Sequence, residues 1–514
     1  MPYSNDMVVS SPCGNPHTAW DCGARAGMMQ VCNAPDAVTF FGTTMPDIKP
    51  EAMIPPPEIM PVPALSSAAL DGMSDALPGV LDALAGQRSG RFDAGMLARA
   101  SLARAHASQA QLQAFVSISA APPDRPASTG PLAGIAIGVK DLIATADLIT
   151  TSGSPLYADH LPAADAWVVA RLRSLGAFVA GKTVTTEFAW RQPGPTRNPW
   201  NLAHTPGGSS SGSAAAVAAG IVPAALGTQT LGSIIRPAAF CGVVGMKPSH
   251  GAIARTGIAP LAGSLDHVGV FARSVSDAGY LLGWLIGNDA GDPQANALPG
   301  WSLGIDEGVP PAVQPRIAVM RSTLFDAASA AQQQQLLASA EAFRAAGAIV
   351  TPFELPPAYD SVWDDTMILL EAEAAVIYGA LCDRHGARIS GHIHSLVERG
   401  RGLRAEAYLQ ARGRQAALRL TLGQLLSEHD AILTMPAAGT APAGLEDTGD
   451  ARFCTPWSFL GVPAIALPAA LAGNGLPLGI QLVAAYRQDL HLLRVARWCE
   501  TVLAFAHRSR QYGL

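Results

Sequence analysis

Short apolar runs alternate with helix-period segments from about Leu65 to the end of this 514-residue chain, and that alternation limits the fold more than any other feature. The run GIAIGVKDLI is apolar at successive positions, so a strand built from it buries both of its faces. The stretch DAWVVARLRSLGAFVAGKTVTTEFA reads as helix, glycine stop, strand and helix. Further strand-like runs are VPAALGT, RIAVMRS, AILTMP and VPAIALPAAL, and MLARASLARAHASQAQLQAFVSI reads as a helix leading into a strand. A turn at Gly473-Asn474-Gly475 joins VPAIALPAAL to LPLGIQLV as a hairpin. Helical patterns cluster between about Asp360 and Leu426, and DLHLLRVARWCETVLAF closes the chain as a helix. The fold expected is α/β: one large, twisted, mixed β-sheet covered by helices on both faces. Residues 1–64, rich in proline and methionine, are expected to be a poorly ordered extension, and 65–514 a single domain.

Composition excludes several classes. Hydrophobic residues make up 49% and charged residues 14% of the chain, which rules out global disorder. A formal charge of −6 gives no electrostatic case for nucleic acid or an acidic membrane surface. No uninterrupted apolar run reaches the roughly 20 residues of a membrane helix. The N-terminus has no basic start followed by an apolar stretch, so no secretory signal is expected, and seven cysteines without pairing motifs suggest reduced thiols and a cytoplasmic protein. Cys13, Cys22 and Cys32 are read as unpaired thiols, and neither a metal nor a cofactor is expected.

There are four lysines, Lys49, Lys140, Lys182 and Lys247, and arginine supplies the other basic side chains. A lysine kept inside an apolar run needs a reason that arginine cannot meet. Arginine holds its proton in proteins, whereas a buried lysine can lose it near neutral pH.

Three motif matches are weighed first. GAFVAGKT, residues 176–183, satisfies the P-loop spacing, but its inner residues are apolar and better suited to a strand than to a phosphate-facing turn. GHIHS, with His392 and His394, lacks further metal ligands and is read as a solvated helix. GSSSG, residues 208–212, fits a nucleophile elbow, yet a loop precedes it where the elbow needs a strand.

What remains joins three segments: Lys140 at a strand end, the serine loop, and ALGTQTLGSIIRPAAFCG. In the last of these a strand breaks into a loop whose backbone amides can converge on an oxyanion. A serine there can attack a carbonyl if a base is at hand, and Lys140, kept neutral by apolar surroundings, is the natural one.

These segments resemble the amidase signature enzymes. The resemblance runs from about Leu65 to the C-terminus and is strongest from PLAGIAIGVKD through TPGGSSSGSAAAVAAG to IAPLAGSLDHVGVFARSV. It implies a catalytic lysine at Lys140, a bridging serine at Ser209 preceded by a cis peptide bond, and a nucleophile at Ser233, 24 positions later. It also implies an oxyanion hole from the backbone N–H groups of Thr230, Leu231, Gly232 and Ser233. Gly208, Ser210, Gln229 and Arg236 fall in substrate-binding or supporting positions. The activity implied is hydrolysis of a small linear carboxamide through an acyl-enzyme; a homodimer is compatible with it.

Many members of the family carry Asp-Thr-Gly-Gly-Ser where this chain has Gln229-Thr230-Leu231-Gly232-Ser233. The glutamine resembles the branch of malonamidase-like and biuret- or allophanate-type enzymes. Leu231 adds bulk beside the acyl site and restricts φ. Arg236 is open to two readings, a bidentate carboxylate ligand or an anchor of the turn through backbone carbonyls. Ser210 is placed to bond Ser233 or the relay, and Ser210 or Ser211 suits a helix N-cap. Asp266 and Lys247 are read as structural, and His267 and Cys241 as packed in the core. Two alternatives stay open: a glutamyl-tRNA amidotransferase A-like subunit, which works with partners, and a Ser-His-Asp esterase using GSSSG.

Overall fold

The computed structural model describes residues 39–40, 43–44, 77–121, 129–296, 298, 309–321 and 324–509. The expectation for residues 1–64 lies outside them, apart from a short antiparallel ribbon of β1 (Thr39–Phe40) and β2 (Thr43–Thr44). Residues Val38–Leu514 form one compact unit.

The apolar runs do become strands. In chain order these are β3 (Phe115–Ile118), β4 (Ala136–Lys140), β5 (Phe178–Thr183), β6 (Ala224–Gln229), β7 (Val244–Lys247) and β8 (His267–Ala272). The second half supplies β9 (Arg316–Met320), β10 (Ile349–Phe353), β11 (Ala431–Thr434), β12 (Ala464–Leu471) and β13 (Pro477–Val483). Together they make one 11-stranded sheet in the order β10-β9-β11-β13-β12-β7-β8-β6-β4-β5-β3. Pairing is parallel at β10–β9–β11 and at β5–β4–β6. The remaining neighbours are antiparallel, including the expected β12–β13 hairpin.

The helices are α1 (Val80–Arg88), α2 (Ala94–Leu112), α3 (Trp167–Ser174), α4 (Ser211–Ala218), α5 (Ile235–Cys241) and α6 (Val275–Leu285). They continue with α7 (Ala330–Ala345), α8 (Val362–His385), α9 (Gly391–Arg401), α10 (Ala405–Leu425), α11 (Thr455–Phe459) and α12 (Asp489–Leu503). None among the described residues is long and apolar enough to cross a membrane.

Side chains alternate across the sheet as a period of two demands. Ala136, Ala464 and Ala466 join an apolar layer with α2, α4, α5 and α8 to α11. Ile137, Val139, Ile465 and Leu467 join a second layer with α1, α3, α6, α7 and α12. The sheet is therefore covered on both faces, as its near-continuous apolar strands require. Lys140 has the same parity as Ala136, which directs it to the α4 side.

Gly212 explains how α4 comes so close. A Cβ there would collide with the backbone of Ala114 and Val184, and the Gly212 N–H donates to Val184 O at 3.0 Å. The start of α4 thus sits on the end of β5.

Candidate active site

Lys140 ends β4 with no exposed surface. Its Nζ lies 2.7 Å from Ser209 Oγ, 2.8 Å from Thr228 Oγ1 and 3.2 Å from Thr228 O. It forms no ion pair among the described residues. Burial pushes its proton affinity well below the usual lysine range; the Asp266 carboxylate opposes that shift and the Arg236 guanidinium adds to it. A buried cation without a carboxylate partner gives up its proton more readily than it stays charged.

Ser209 follows a cis Gly208–Ser209 peptide bond. The turn around it is tied at several points. The Gly207 N–H donates to Thr205 Oγ1, Ser211 Oγ donates to Gly207 O, and the Thr186 N–H donates to Ser209 O. Ser210 corrects one expectation and meets another in position only, standing at the N-cap of α4. Its Oγ donates to Thr228 O at 3.1 Å, so it bonds neither Ser233 nor Ser209, and neither it nor Ser211 caps α4 through its side chain. The Ser210 hydroxyl is turned toward the carbonyl at the end of β6, and no N–H of the first turn of α4 reaches it. With loop before it and its hydroxyl committed, Ser210 has no place in a Ser-His-Asp elbow.

Ser233 stands beyond the end of β6. It lines a cavity of about 510 Å3 together with Ser209, Thr230, Leu231 and Arg236. The expected hydrogen-bonded row runs from Lys140 to Ser209 and stops: Ser233 Oγ has no hydrogen bond among the described residues. Such contacts often tighten only when substrate is bound.

Between β6 and Ser233 the loop is held open by Gln229. Its Oε1 accepts from Ile234 N at 2.7 Å and Ile235 N at 3.0 Å. Its Nε2 donates to Leu231 O at 3.2 Å and Ser458 Oγ at 2.9 Å, and Ser458 Oγ donates to Leu231 O at 2.5 Å. With the Leu231 carbonyl held this way, the N–H groups of Thr230, Leu231, Gly232 and Ser233 have no acceptor among the described residues. Unpaired N–H groups in succession attract negative charge. Gln229 is thus a support and lies behind the loop. Leu231 keeps a negative φ, since it is not among the positive-φ residues, so the leucine fits this turn without backbone strain.

Arg236 takes the anchoring role. Its Nε donates to Thr448 O at 2.7 Å, and its Nη2 to Gly208 O at 2.7 Å and Thr448 Oγ1 at 3.4 Å. It therefore joins the serine turn to the 446–452 segment. Its buried Nη1 has no partner and lies against Gly232.

The remaining motif matches resolve structurally. Residues 178–183 of the P-loop match are strand β5, and Lys182 Nζ bonds Ile143 O and, at 2.8 Å, Thr150 Oγ1. His394 bonds Gly386 O, but His392, read as a surface histidine, is exposed and also borders the cavity. No group of three potential metal ligands exists among the described residues. Lys247 is structural, its Nζ donating to Val462 O at 2.5 Å. Cys241 is buried and free.

Several contributors escaped the sequence. Thr228 closes the lysine's hydrogen bonds and Ser458 reaches the 230–233 loop from α11, while Asp266, read as structural, accepts from Thr230 Oγ1 at 2.6 Å. Trp190, Arg191, Trp363 and residues 446–452 complete the cavity wall. For residues 446–452 the only sequence signal is the small and polar run APAGLEDTGDARFC, which carries no periodicity.

The chain is similar to known proteins over most of its length. The amidase family profile covers residues 97–493. The A-type subunit of glutamyl-tRNA(Gln) amidotransferase from Anaeromyxobacter dehalogenans (strain 2CP-C) is 33% identical over 477 residues, spanning 83% of this chain and 96% of that one. The structure of 6-aminohexanoate cyclic dimer hydrolase superposes with a TM-score of 0.76 at 26% identity, covering 84% of this chain and 98% of the other. Peptide amidase from Stenotrophomonas maltophilia gives a TM-score of 0.74 at 28% identity, with the same coverage of 84% and 98%. With a profile match across most of its length and relatives that act on amide C–N bonds, the chain belongs to the amidase signature family and is an enzyme of amide C–N chemistry.

Proposed function

We propose that this chain cleaves a linear carboxamide by an acyl-enzyme route run by Lys140, Ser209 and Ser233. The observation that carries this reading is the buried Lys140 Nζ, 2.7 Å from Ser209 Oγ and without a carboxylate partner. Neutral Lys140 takes the proton of Ser209, and Ser209 takes that of Ser233 as Ser233 Oγ attacks the amide carbon. The oxyanion that forms is met by the N–H groups of Thr230, Leu231, Gly232 and Ser233, and one such donor is worth about 3 kcal/mol of barrier. The relay returns its proton to the leaving nitrogen as the C–N bond breaks, releasing ammonia or an amine. Water then attacks the ester along the same path in reverse and frees the carboxylate.

A second reading has its own support. Relatives named as the A-type subunit of glutamyl-tRNA(Gln) amidotransferase match over most of both chains, which favours a component whose released ammonia is consumed in an assembled amidotransferase. Both readings share every step up to ammonia release. Gln229 and Leu231 depart from the Asp-Thr-Gly-Gly-Ser form and support the free-standing hydrolase. The deciding experiment measures ammonia from glutamine and from aliphatic, aromatic and ureido amides with the purified chain alone. Turnover that Ser233→Ala and Lys140→Ala abolish supports the free-standing enzyme. Silence that a co-purifying protein relieves supports the amidotransferase, and undiminished turnover in Lys140→Ala overturns both.

A further inference from the structure

Asp266 stands where the β6–β8 ladder ends. Gln229 opposite His267 is the last pair of that ladder, and the next two residues, Thr230 and Asp266, meet through their side chains. Thr230 Oγ1 donates to Asp266 Oδ1 at 2.6 Å. The Asp266 carbonyl accepts from Arg255 Nη1 at 3.3 Å; no ladder bond follows, and the Thr230 N–H stays open. Asp266 Oδ2 accepts from Leu261 N at 2.8 Å and Ala262 N at 3.0 Å. One carboxylate therefore fixes two parts of the cavity wall, Thr230 and Leu261. Gln229 and Ser458 hold the carbonyl of the next residue, Leu231, so two successive residues of the loop are tied down.

All three of these bonds are donated to the carboxyl group, a pattern that the ionised form satisfies in full. Burial raises the proton affinity of Asp266, while the Thr230 hydroxyl, the Leu261 and Ala262 N–H groups and Arg255 oppose that rise. Arg255 is itself paired with Asp292. Around Lys140 few charges remain. The α4 helix carries none, and Lys182 of β5 stands opposite Val139, whose side chain leaves the other face of the sheet. Asp141, next in the chain, is held by Thr151 N. Beyond burial, the charges that act on the lysine are Asp266, which favours its ammonium, and Arg236, which opposes it. The relay turns Lys140 into an ammonium as Ser233 attacks, and a fixed carboxylate lowers the cost of that change.

We propose that Asp266 is a positioning residue for the reaction: it holds Thr230 at the head of the oxyanion loop and supplies the negative charge against which the relay forms the Lys140 ammonium. Its carboxylate acts through the Thr230 hydroxyl and through its field on the amine. This inference rests on the Lys140–Ser209–Ser233 reading above.

A fluorophosphonate reacts with an activated serine whatever the natural amide, so the test follows its labelling of Ser233 in the full chain against pH. In Asp266→Asn the plateau rate constant kinact should fall about 10-fold, the loss expected of one hydrogen bond to a charged group, with KI unchanged. The acid limb of that variant should move to lower pH, because an amine without the carboxylate gives up its proton more readily. Thr230→Val, which keeps the charge, should lower kinact and leave the limb in place, whereas Thr230→Ser should behave as the wild type. An unmoved limb in Asp266→Asn, or a raised KI with kinact intact, overturns the proposal. If Asp266→Asn does not fold, equal rates in Thr230→Val and Thr230→Ser overturn it instead. Wild-type labelling that Lys140→Ala fails to slow sinks the hydrolytic reading itself. Slowing by Lys140→Ala alongside an unmoved limb in Asp266→Asn sinks this inference alone.

Discussion

A lysine in an apolar run of an arginine-rich chain was legible because burial and charge conflict there. The structure resolves the conflict with a hydroxyl partner in place of a carboxylate. Activity should require the neutral amine, so amide turnover falls as pH drops through the lowered proton affinity of Lys140. A pH–rate profile with its acid limb well below the usual lysine range checks this; a limb that stays at about 10.4 contradicts it. Gln229 yields a second expectation. Gln229→Ala removes the acceptor of Ile234 N and Ile235 N, and each buried N–H left unpaired costs about 1–3 kcal/mol. Lower thermal stability and a reduced kcat should appear together in that variant. Thr228, Ser458 and the Ser210 hydroxyl bond were not legible, because each contact joins residues whose proximity exists only after the sheet forms.

The β6 strand holds Thr228 and Gln229 and leads into the loop that ends at Ser233, with β4 and β8 beside it. Its run VPAALGT was readable because it is apolar at successive positions, as were those of β4, β5 and the β12–β13 hairpin. The strands β7, β8 and β10 were not read. VGMK is only four residues long, HVGVFA carries a histidine and a glycine, and IVTPF is a partly exposed edge strand containing a proline. Solvated helix was right for the backbone of α9, yet helical pattern alone cannot tell an outer surface from a cavity rim, and His392 sits on the rim. At this scale Gly212 is the sensitive point. Gly212→Ala forces a methyl against the backbone of Ala114 and Val184, an overpacking worth about 1–3 kcal/mol. A lower thermal midpoint and a slower acylation, read by phosphonate labelling of Ser233, are expected together, since α4 begins where the serine turn ends. Loss of neither would show that α4 has room to shift.

Across the whole molecule, buried lysines make stability rise with pH above neutrality, and buried thiols such as Cys382 oppose that rise at alkaline pH. Burial lowers Lys182 to about 8 and Lys247 to about 7, against about 10.4 in an unfolded chain. Between those limits the unfolded state binds more protons, so stability rises with pH. The thermal midpoint should therefore increase from pH 7 to pH 9, and Lys247→Met should flatten the increase; a midpoint that falls over this range contradicts the buried-amine picture. One face of the sheet carries both the candidate catalytic groups and the cavity wall, drawn from different segments. In the proposed mechanism, attack, relay and oxyanion support come from strand ends and the turns beside them. The cavity wall comes from residues 446–452, Trp363 of α8 and His392 of α9, segments far apart in the chain and on the outer rim. A gene under selection can therefore exchange what enters the pocket by rewriting the codons of rim residues such as Trp363 and His392, whereas Thr448 stays tied to the serine turn through Arg236.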